Sequence, residues 1–444
     1  MSCALPEAPV RAPGEINPGT CMAPAENANV AFALGEARAF PPRQTRPWRV
    51  LHACDAYERI SPVVEAESAA GMLPAVVTRG LPASQGAAQI SLLQACSSVR
   101  NWRRRLLESA ADCELVHAHC FSAGMAAVRI FPIVVYEIDR FVEDVPKPSH
   151  GRSWLSRSFR AAEQFIISHA AAVVARTPSL RQELVRRGAA EEHVFVIPRP
   201  LAPPEPFTYA AEDAGDLEWR HFGDDSGGAS RFAPENSAGG RIFAVFSSVA
   251  VGNDWRPWLQ ALVAALRSAA RRGQHLRLYL QAENELHDEA LRVATGKAGF
   301  DVQVVDRQAA AGVLPASSLV IAGATARSAI TSGNPLALAA LAAGKPLLAA
   351  DLPCNRDVTP SGRGCLWFKP ENVADLERRL LFLAANPALC AALAASGARY
   401  LRETRSPLRI AEQYDAVYRY AQQRRHSGKS QTPLVRWQPS QACI

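Results

Sequence analysis

The sequence predicts an α/β chain built on two doubly wound parallel sheets. Short apolar, β-branched runs, typical of strands buried on both faces, alternate along it with helical stretches. Such alternation with short connections implies parallel strands covered by helices. The rhythm breaks once, over residues 202–240, in a segment rich in Gly, Pro, Asp, Glu and Ser, and then restarts. At 444 residues the chain is long enough for two sizeable cores.

In the first half, Trp48-Arg-Val-Leu-His-Ala53 reads as a strand, 63–71 as helical, and Leu73-Pro-Ala-Val-Val-Thr78 as the second strand. Glu114-Leu-Val-His-Ala-His119 and Ile133-Val-Val-Tyr-Glu-Ile138 are buried parallel strands by the same criterion. A helix is expected over 153–169, a strand at 171–175, and a helix over 179–187 that Thr177-Pro178 starts and Gly188 stops. The strand His193-Val-Phe-Val-Ile197 closes this half. In the second half, strands are expected at 241–246, 276–280, 302–305, 318–321 and 346–350, and helices over 255–272, 285–298, 335–343, 372–385, 387–402 and 410–424. The last helix carries Tyr414, Tyr418 and Tyr420. Six segments result: a leader (1–47), a first domain (48–201), a linker with an insertion (202–240), a second domain (241–408), a terminal helix (409–425) and a polar tail (426–444).

Hydrophobic residues make up 48% and charged residues 20%, a globular balance. No apolar run reaches the roughly 18 residues a spanning helix needs. The Pro-, Ala- and Gly-rich leader lacks a basic start followed by an apolar core, so it does not read as a secretion signal. Ten cysteines stand singly with no Cys-x-x-Cys pair, which predicts neither metal site nor disulfide framework and suits a reducing, cytoplasmic compartment. A net charge of +7 favours anionic partners without choosing among nucleotides, membranes and nucleic acid. No nucleic-acid-binding module is present, and nucleic acid is not expected as a partner.

Several stretches together resemble family 4 glycosyltransferases over roughly residues 49–421. Ser332-Gly-Asn-Pro-Leu-Ala-Leu-Ala-Ala-Leu-Ala-Ala-Gly-Lys-Pro346 resembles the family's Glu-Gly-Phe-Gly loop and the helix ending in Ala-x-Gly-x-Pro. Gly364-Cys-Leu-Trp-Phe-Lys-Pro370 is similar to its Gly-x-Leu-Val-x-Pro turn. Glu114-Leu-Val-His-Ala-His119 resembles its Asp-Val-Val-His-x-His strand, and the segment from Tyr136 to Asp144 resembles a stretch of a capsule and exopolysaccharide subgroup. The resemblance implies a GT-B architecture, two Rossmann-like domains facing across a cleft, with the acceptor on the first and a nucleotide-sugar donor on the second. It implies retention of anomeric configuration, no cofactor and no bound metal, and a last helix that crosses back to the first domain.

By that resemblance the donor pyrophosphate lies at Thr331-Ser332-Gly333-Asn334-Pro335. There a helix N-terminus favours anions, Gly333 permits close approach and Pro335 suits the first turn. The family pattern is broken at several points. Its Glu-x7-Glu pair, which holds donor sugar and ribose, falls on Thr331 and Ala339; the Arg and Lys that neutralise the diphosphate fall near Ser247 and Asn253. Arg256 and Arg327 are the candidate replacements. The glycine-rich loop after the first strand is absent.

On the acceptor side, His117 and His119 alternate on a strand and so share one face. They are either cleft residues or hydrogen-bonded core histidines. Glu137, Asp139 and Arg140 end a buried strand, where α/β sites collect; a carboxylate there serves as a base or orients a hydroxyl, or else forms an Asp–Arg structural pair. His119, Glu137 and Asp139 are the catalytic candidates, with His117 and Arg140 beside the acceptor. Trp102-Arg-Arg-Arg105 and the segment 152–160 interleave cations with aromatics, suiting either peripheral membrane contact near a lipid-linked acceptor or a solvated helix face. Two functions follow: sugar transfer from a nucleotide sugar to a saccharide or lipid-linked saccharide in envelope or exopolysaccharide synthesis, or an inactive GT-B-like protein that binds a saccharide or a partner transferase.

Overall fold

A computed structural model describes residues 47–55, 57, 60–78, 92–110, 112–141, 153–201, 243–249, 255–282, 286–295, 300–323 and 334–426, all within one compact unit spanning 40–444. The first half runs β1 (Arg49–Cys54), α1 (Ser61–Ala69), β2 (Leu73–Thr78), α2 (Leu92–Ser109), β3 (Leu115–Ala118), α3 (Phe121–Ala127), β4 (Val134–Ile138), α4 (Ser153–His169), β5 (Ala172–Ala175), α5 (Pro178–Arg186) and β6 (Val194–Val196). The second runs β7 (Phe243–Val249), α6 (Trp255–Arg271), β8 (Leu276–Ala282), α7 (His287–Thr295), β9 (Asp301–Val305), α8 (Arg307–Ala316), β10 (Leu319–Ala322), α9 (Pro335–Ala342), β11 (Leu347–Ala350), α10 (Pro353–Arg356) and β12 (Cys365–Phe368). Helices α11 (Val373–Ala385), α12 (Pro387–Arg405) and α13 (Pro407–His426) complete it.

The strands form two six-stranded parallel sheets, ordered β2-β1-β3-β4-β5-β6 and β12-β11-β10-β7-β8-β9. The doubly wound class read from the sequence is therefore the observed one. Strands β3, β4, β5, β10 and β11 are buried along their whole length, as continuous apolar runs require. Helix α6 buries Trp255, Trp258, Leu259, Leu262, Val263, Leu266 and Ala269 on one stripe against the second sheet. Each of its fully buried leucines contributes about 1.5–3 kcal/mol of transfer energy. Thr177 caps α5 by accepting from the Leu180 N–H at 3.2 Å, and Gly188 ends the turn after it at φ 94°.

Helices α3, α8 and α10 carry no clear mark in the sequence, and α2 only the helix face allowed at 102–105. Helix α3 is short and contains Gly124, where a Cβ would lie 2.9 Å from the Tyr136 ring; the glycine lets helix and strand approach. Helix α8 is capped by Asp306, which accepts from Ala309 N–H at 2.8 Å, but its alanines and Pro315 hide any apolar stripe. Trp102 is 1% exposed and belongs to the first core, and Phe159 packs edge-on against Phe121 at 5.8 Å. Helix periodicity turns Trp102 inward while Arg103 and Arg104 stay exposed, and Phe159 is half-buried.

Helix α13 returns to the first half and packs on α1, β4 and β5. It buries Tyr414, Val417, Tyr418 and Ala421, accepts a 2.8 Å bond from the Trp48 indole at Asp415, and donates from Arg424 to the carbonyls of Ala170 and Ala171 at 3.1 Å each. The halves also meet at Asp357, whose Oδ1 accepts from the N–H and hydroxyl of Ser179 at 3.2 and 2.9 Å, covering the start of α5. No single helix among the described residues is long and apolar enough to cross a membrane.

Candidate active site

In an open parallel sheet, a ligand crevice forms at the carboxyl ends of two neighbouring strands whose connections leave in opposite directions. In the first sheet those strands are β1 and β3, in the second β7 and β10. His52 on β1 stands in register with His117 on β3, and His119 follows one residue beyond the strand. Glu137 lies near the end of the adjoining β4, and Arg176 just past β5. The topology therefore gathers these five side chains at one place.

They form a buried network. His52 Nε2 bonds Glu67 Oε2 on α1 at 2.8 Å, and its Nδ1 lies 2.9 Å from His119 Nε2. His119 Nδ1 lies 3.0 Å from Glu137 Oε1. Helix α13 closes the far side: Tyr414 Oη donates to Glu137 Oε2 at 2.6 Å, and Tyr418 Oη donates to Glu67 Oε1 at 2.6 Å and contacts His117 Nδ1 at 2.8 Å. Arg176 donates to Glu137 and, at 3.0 Å, to Tyr414. His52, Glu67 and His117 have no exposed surface.

Burial raises the cost of charge on every member, and paired partners decide who keeps it. Burial opposes ionisation of Glu137, but Arg176 and His119 outweigh it and hold the carboxyl well below its usual range. Burial and the neighbouring His119 push His117 down to about 3. Burial likewise lowers His119, against the pull of Glu137. Burial pushes the Cys120 thiol up, so it stays protonated and is no nucleophile.

Among the sequence-derived candidates, His117, His119 and Glu137 come together here. Glu137 is enclosed by four partners and kept ionised, which suits positioning rather than proton abstraction. Asp139 lies at the rim, bound by Arg199 at 2.5 Å with Arg176 at 3.4 Å, and Arg140 is exposed. The Asp–Arg pair that the sequence allows here is made with arginines from two other segments, Arg176 and Arg199. Beside the network opens a small pocket bordered by Asp55, Ile60, His119, Cys120, Asp139 and Arg176. A wider surface depression between Arg363, Ser396 and Glu403 lies on α12 and the turn before β12, without buried polar groups. His52, Glu67 and Arg176 were not singled out in the sequence; only the His52–His117 register, visible once β1 and β3 are paired, exposes them.

At the second crevice, Ser247 on β7 donates to the Ile321 carbonyl at 2.9 Å, tying β7 to β10. Beyond β10, Gly323 lies under the Trp258 ring, where a Cβ would sit 2.1 Å from the indole. Thr331, Ser332, Gly333 and Arg327 lie outside the described residues. Asn334 caps α9, accepting from Leu336 N–H at 3.0 Å, while its own N–H is taken by the Cys354 carbonyl at 2.9 Å. That N–H is thus not free for a pyrophosphate, contrary to expectation, and Pro335 has none. Arg256 does not face this helix start as a lone cation; it pairs with Glu289 on α7 and is 62% exposed. Ala339, at the second Glu position of the resemblance, is exposed.

Solved structures share this architecture. A glycosyltransferase from Rickettsia africae superposes with a TM-score of 0.60 at 10% identity, covering 85% of this chain and 99% of its own. The chain has the GT-B fold. A sucrose-phosphate synthase from Thermosynechococcus elongatus matches at TM-score 0.57 and 14% identity over 84% of this chain and 98% of its own. HepE from Anabaena, in complex with UDP and glucose, matches at TM-score 0.53 and 13% identity over 83% and 98%. Residues 31–200, the half that carries the histidine network, match a family model described as a glycosyl transferase 4-like domain. No curated protein matches the GT-B chain in sequence.

Proposed function

We propose that this GT-B chain transfers a glycosyl group from a nucleotide sugar to a saccharide, free or lipid-linked, in envelope or exopolysaccharide synthesis. The observation that carries the reading is the polar network at the β1/β3 crevice, with His119, Asp139 and Arg176 bordering a pocket. In this reading the acceptor hydroxyl enters that pocket, where Asp139 accepts its hydrogen bond and the His119 ring forms part of the wall. Glu137 and Arg176 hold the imidazole and the rim in place. The donor lies at the second crevice, before α9. A HepE structure with UDP-glucose on the same fold supports the donor class.

A second reading is favoured by the donor half itself. Arg256 is tied to Glu289, the Asn334 N–H is occupied, and no carboxylate stands at Ala339. In that reading the fold binds a saccharide or a partner transferase without turnover.

Calorimetric titration with UDP-, GDP- and ADP-sugars separates the two. Micromolar binding of one donor, with release of its nucleoside diphosphate on adding acceptor oligosaccharides, supports transfer. Binding of oligosaccharide with no response to any donor defeats it and leaves the non-catalytic reading.

A further inference from the structure

We infer that His52, His117 and His119 form a binding site for one divalent transition-metal ion, of which Zn²⁺ is the simplest representative. Hydrogen-bond bookkeeping leads to this. The carboxylates of Glu67 and Glu137 accept only, so the imidazole nitrogens facing them carry the protons: His52 Nε2 towards Glu67 at 2.8 Å, His119 Nδ1 towards Glu137 at 3.0 Å. Tyr418 gives its proton to Glu67, so its oxygen accepts from His117 Nδ1. With the protons so placed, each imidazole presents a lone pair on its other nitrogen.

Those three nitrogens are His52 Nδ1, His119 Nε2 and His117 Nε2. The first two face each other at 2.9 Å, lone pair to lone pair. The third has no hydrogen-bond partner and lies 3.4 Å from Glu137 Oε2, itself an acceptor. One ring nitrogen from each histidine lies within 4.8 Å of the others. A positive centre among them removes all of these repulsions.

The arrangement is what a metal requires. Imidazole nitrogens suit zinc and its late first-row neighbours. At metal–nitrogen distances of about 2.0–2.1 Å, two tetrahedral ligands stand about 3.3 Å apart, so the facing pair needs to open by only a few tenths of an ångström. Each ligand ring is backed by a hydrogen-bond partner on its other nitrogen, Glu67, Glu137 or Tyr418, the outer shell that metal-bound histidines use to fix tautomer and orientation. The three ligands come from β1 and from the end of β3, so the ion would lock the crevice strands together and hold His119 at the pocket. It lies in the half opposite the donor elements and is distinct from any metal on donor phosphates.

The test uses the untagged full chain, stripped with chelator and titrated with ZnCl₂ by calorimetry, with metal content and thermal midpoint measured in parallel. One zinc per chain is expected, with sub-micromolar dissociation constant and a raised midpoint; Co²⁺ should give the visible absorption of a tetrahedral site. His52→Ala and His119→Ala should abolish binding. Glu67→Gln, which keeps the shape of the outer shell, should weaken it about 10–100-fold. Affinity weaker than about 100 µM for the folded wild type would overturn the inference, as would tight binding that survives Glu67→Gln and His52→Ala unchanged. Zinc binding without nucleotide-sugar binding would uphold this site and sink the transfer reading, so the two fail separately.

Discussion

Removing the Tyr414 hydroxyl tests whether α13 is a structural member of the amino-terminal site. Tyr414 is fully buried; its Oη donates to Glu137 Oε2 at 2.6 Å and accepts from Arg176 Nη1 at 3.0 Å. Phenylalanine keeps the ring, its packing on Tyr418 and the helix, so only these two bonds are lost. Bonds to charged groups contribute about 1.5–3 kcal/mol each. Glu137 retains Arg176 and His119, so its loss falls at the low end; the guanidinium has no other described partner at that nitrogen. We expect Tyr414→Phe to destabilise the chain by about 2–4 kcal/mol, read from the urea midpoint at unchanged slope. Tyr420→Phe, whose half-buried hydroxyl contacts His193, serves as the control and should cost below about 1 kcal/mol. Equal small effects from both variants would refute the claim that α13 completes a charged buried network.

Other consequences follow from single geometries. Gly323→Ala should expel Trp258 from its place, because the new Cβ would lie 2.1 Å from the indole; a tryptophan emission shift with a drop in thermal midpoint checks it, and a silent substitution would mean the β10 end is not packed as described. The Asp357 carboxyl is raised above its ordinary 3.8 by burial, although Ser179 stabilises the anion. A raised acid favours the folded state below its unfolded value and loses that contribution as pH climbs through the folded value. The neutral isostere Asp357→Asn should therefore gain stability relative to wild type as pH rises from about 4 towards neutrality, measured by thermal midpoints across that range. Ala339→Glu places a carboxylate on an exposed helix position; where donor binding follows the family pattern, one restored charged bond of about 1.5–3 kcal/mol should tighten nucleotide affinity at least about tenfold by calorimetry. Arg256→Ala should leave nucleotide affinity unchanged, since that side chain is committed to Glu289.

Much of this architecture follows from one-dimensional properties. Runs such as Ala-Val-Val-Ala at β5 and Leu-Val-Ile-Ala at β10 are apolar throughout because both faces are covered, so alternation with helices was enough to imply parallel sheets. Thr177-Pro178 and Gly188 mark α5 because capping and left-handed geometry act within a few residues. Helix periodicity placed Tyr414 and Tyr418 on one α13 face, and strand alternation placed His117 on β3 and His119, one residue past it, on one side. What those faces meet was decided elsewhere. His52 and Glu67 carry no local mark; they matter because β1 pairs in register with β3, and that pairing is chosen by the whole sheet. Arg256 has the right charge at the start of a helix, yet Glu289 on the next helix claims it. Trp102 stands among arginines in the sequence but in the core in space. Local steric and capping preferences are properties of a few adjacent residues and can be read from them. Partnership among charged and aromatic side chains depends on residues as far apart as Glu67 and Tyr418, separated by 351 positions, and only the packed tertiary structure brings those together.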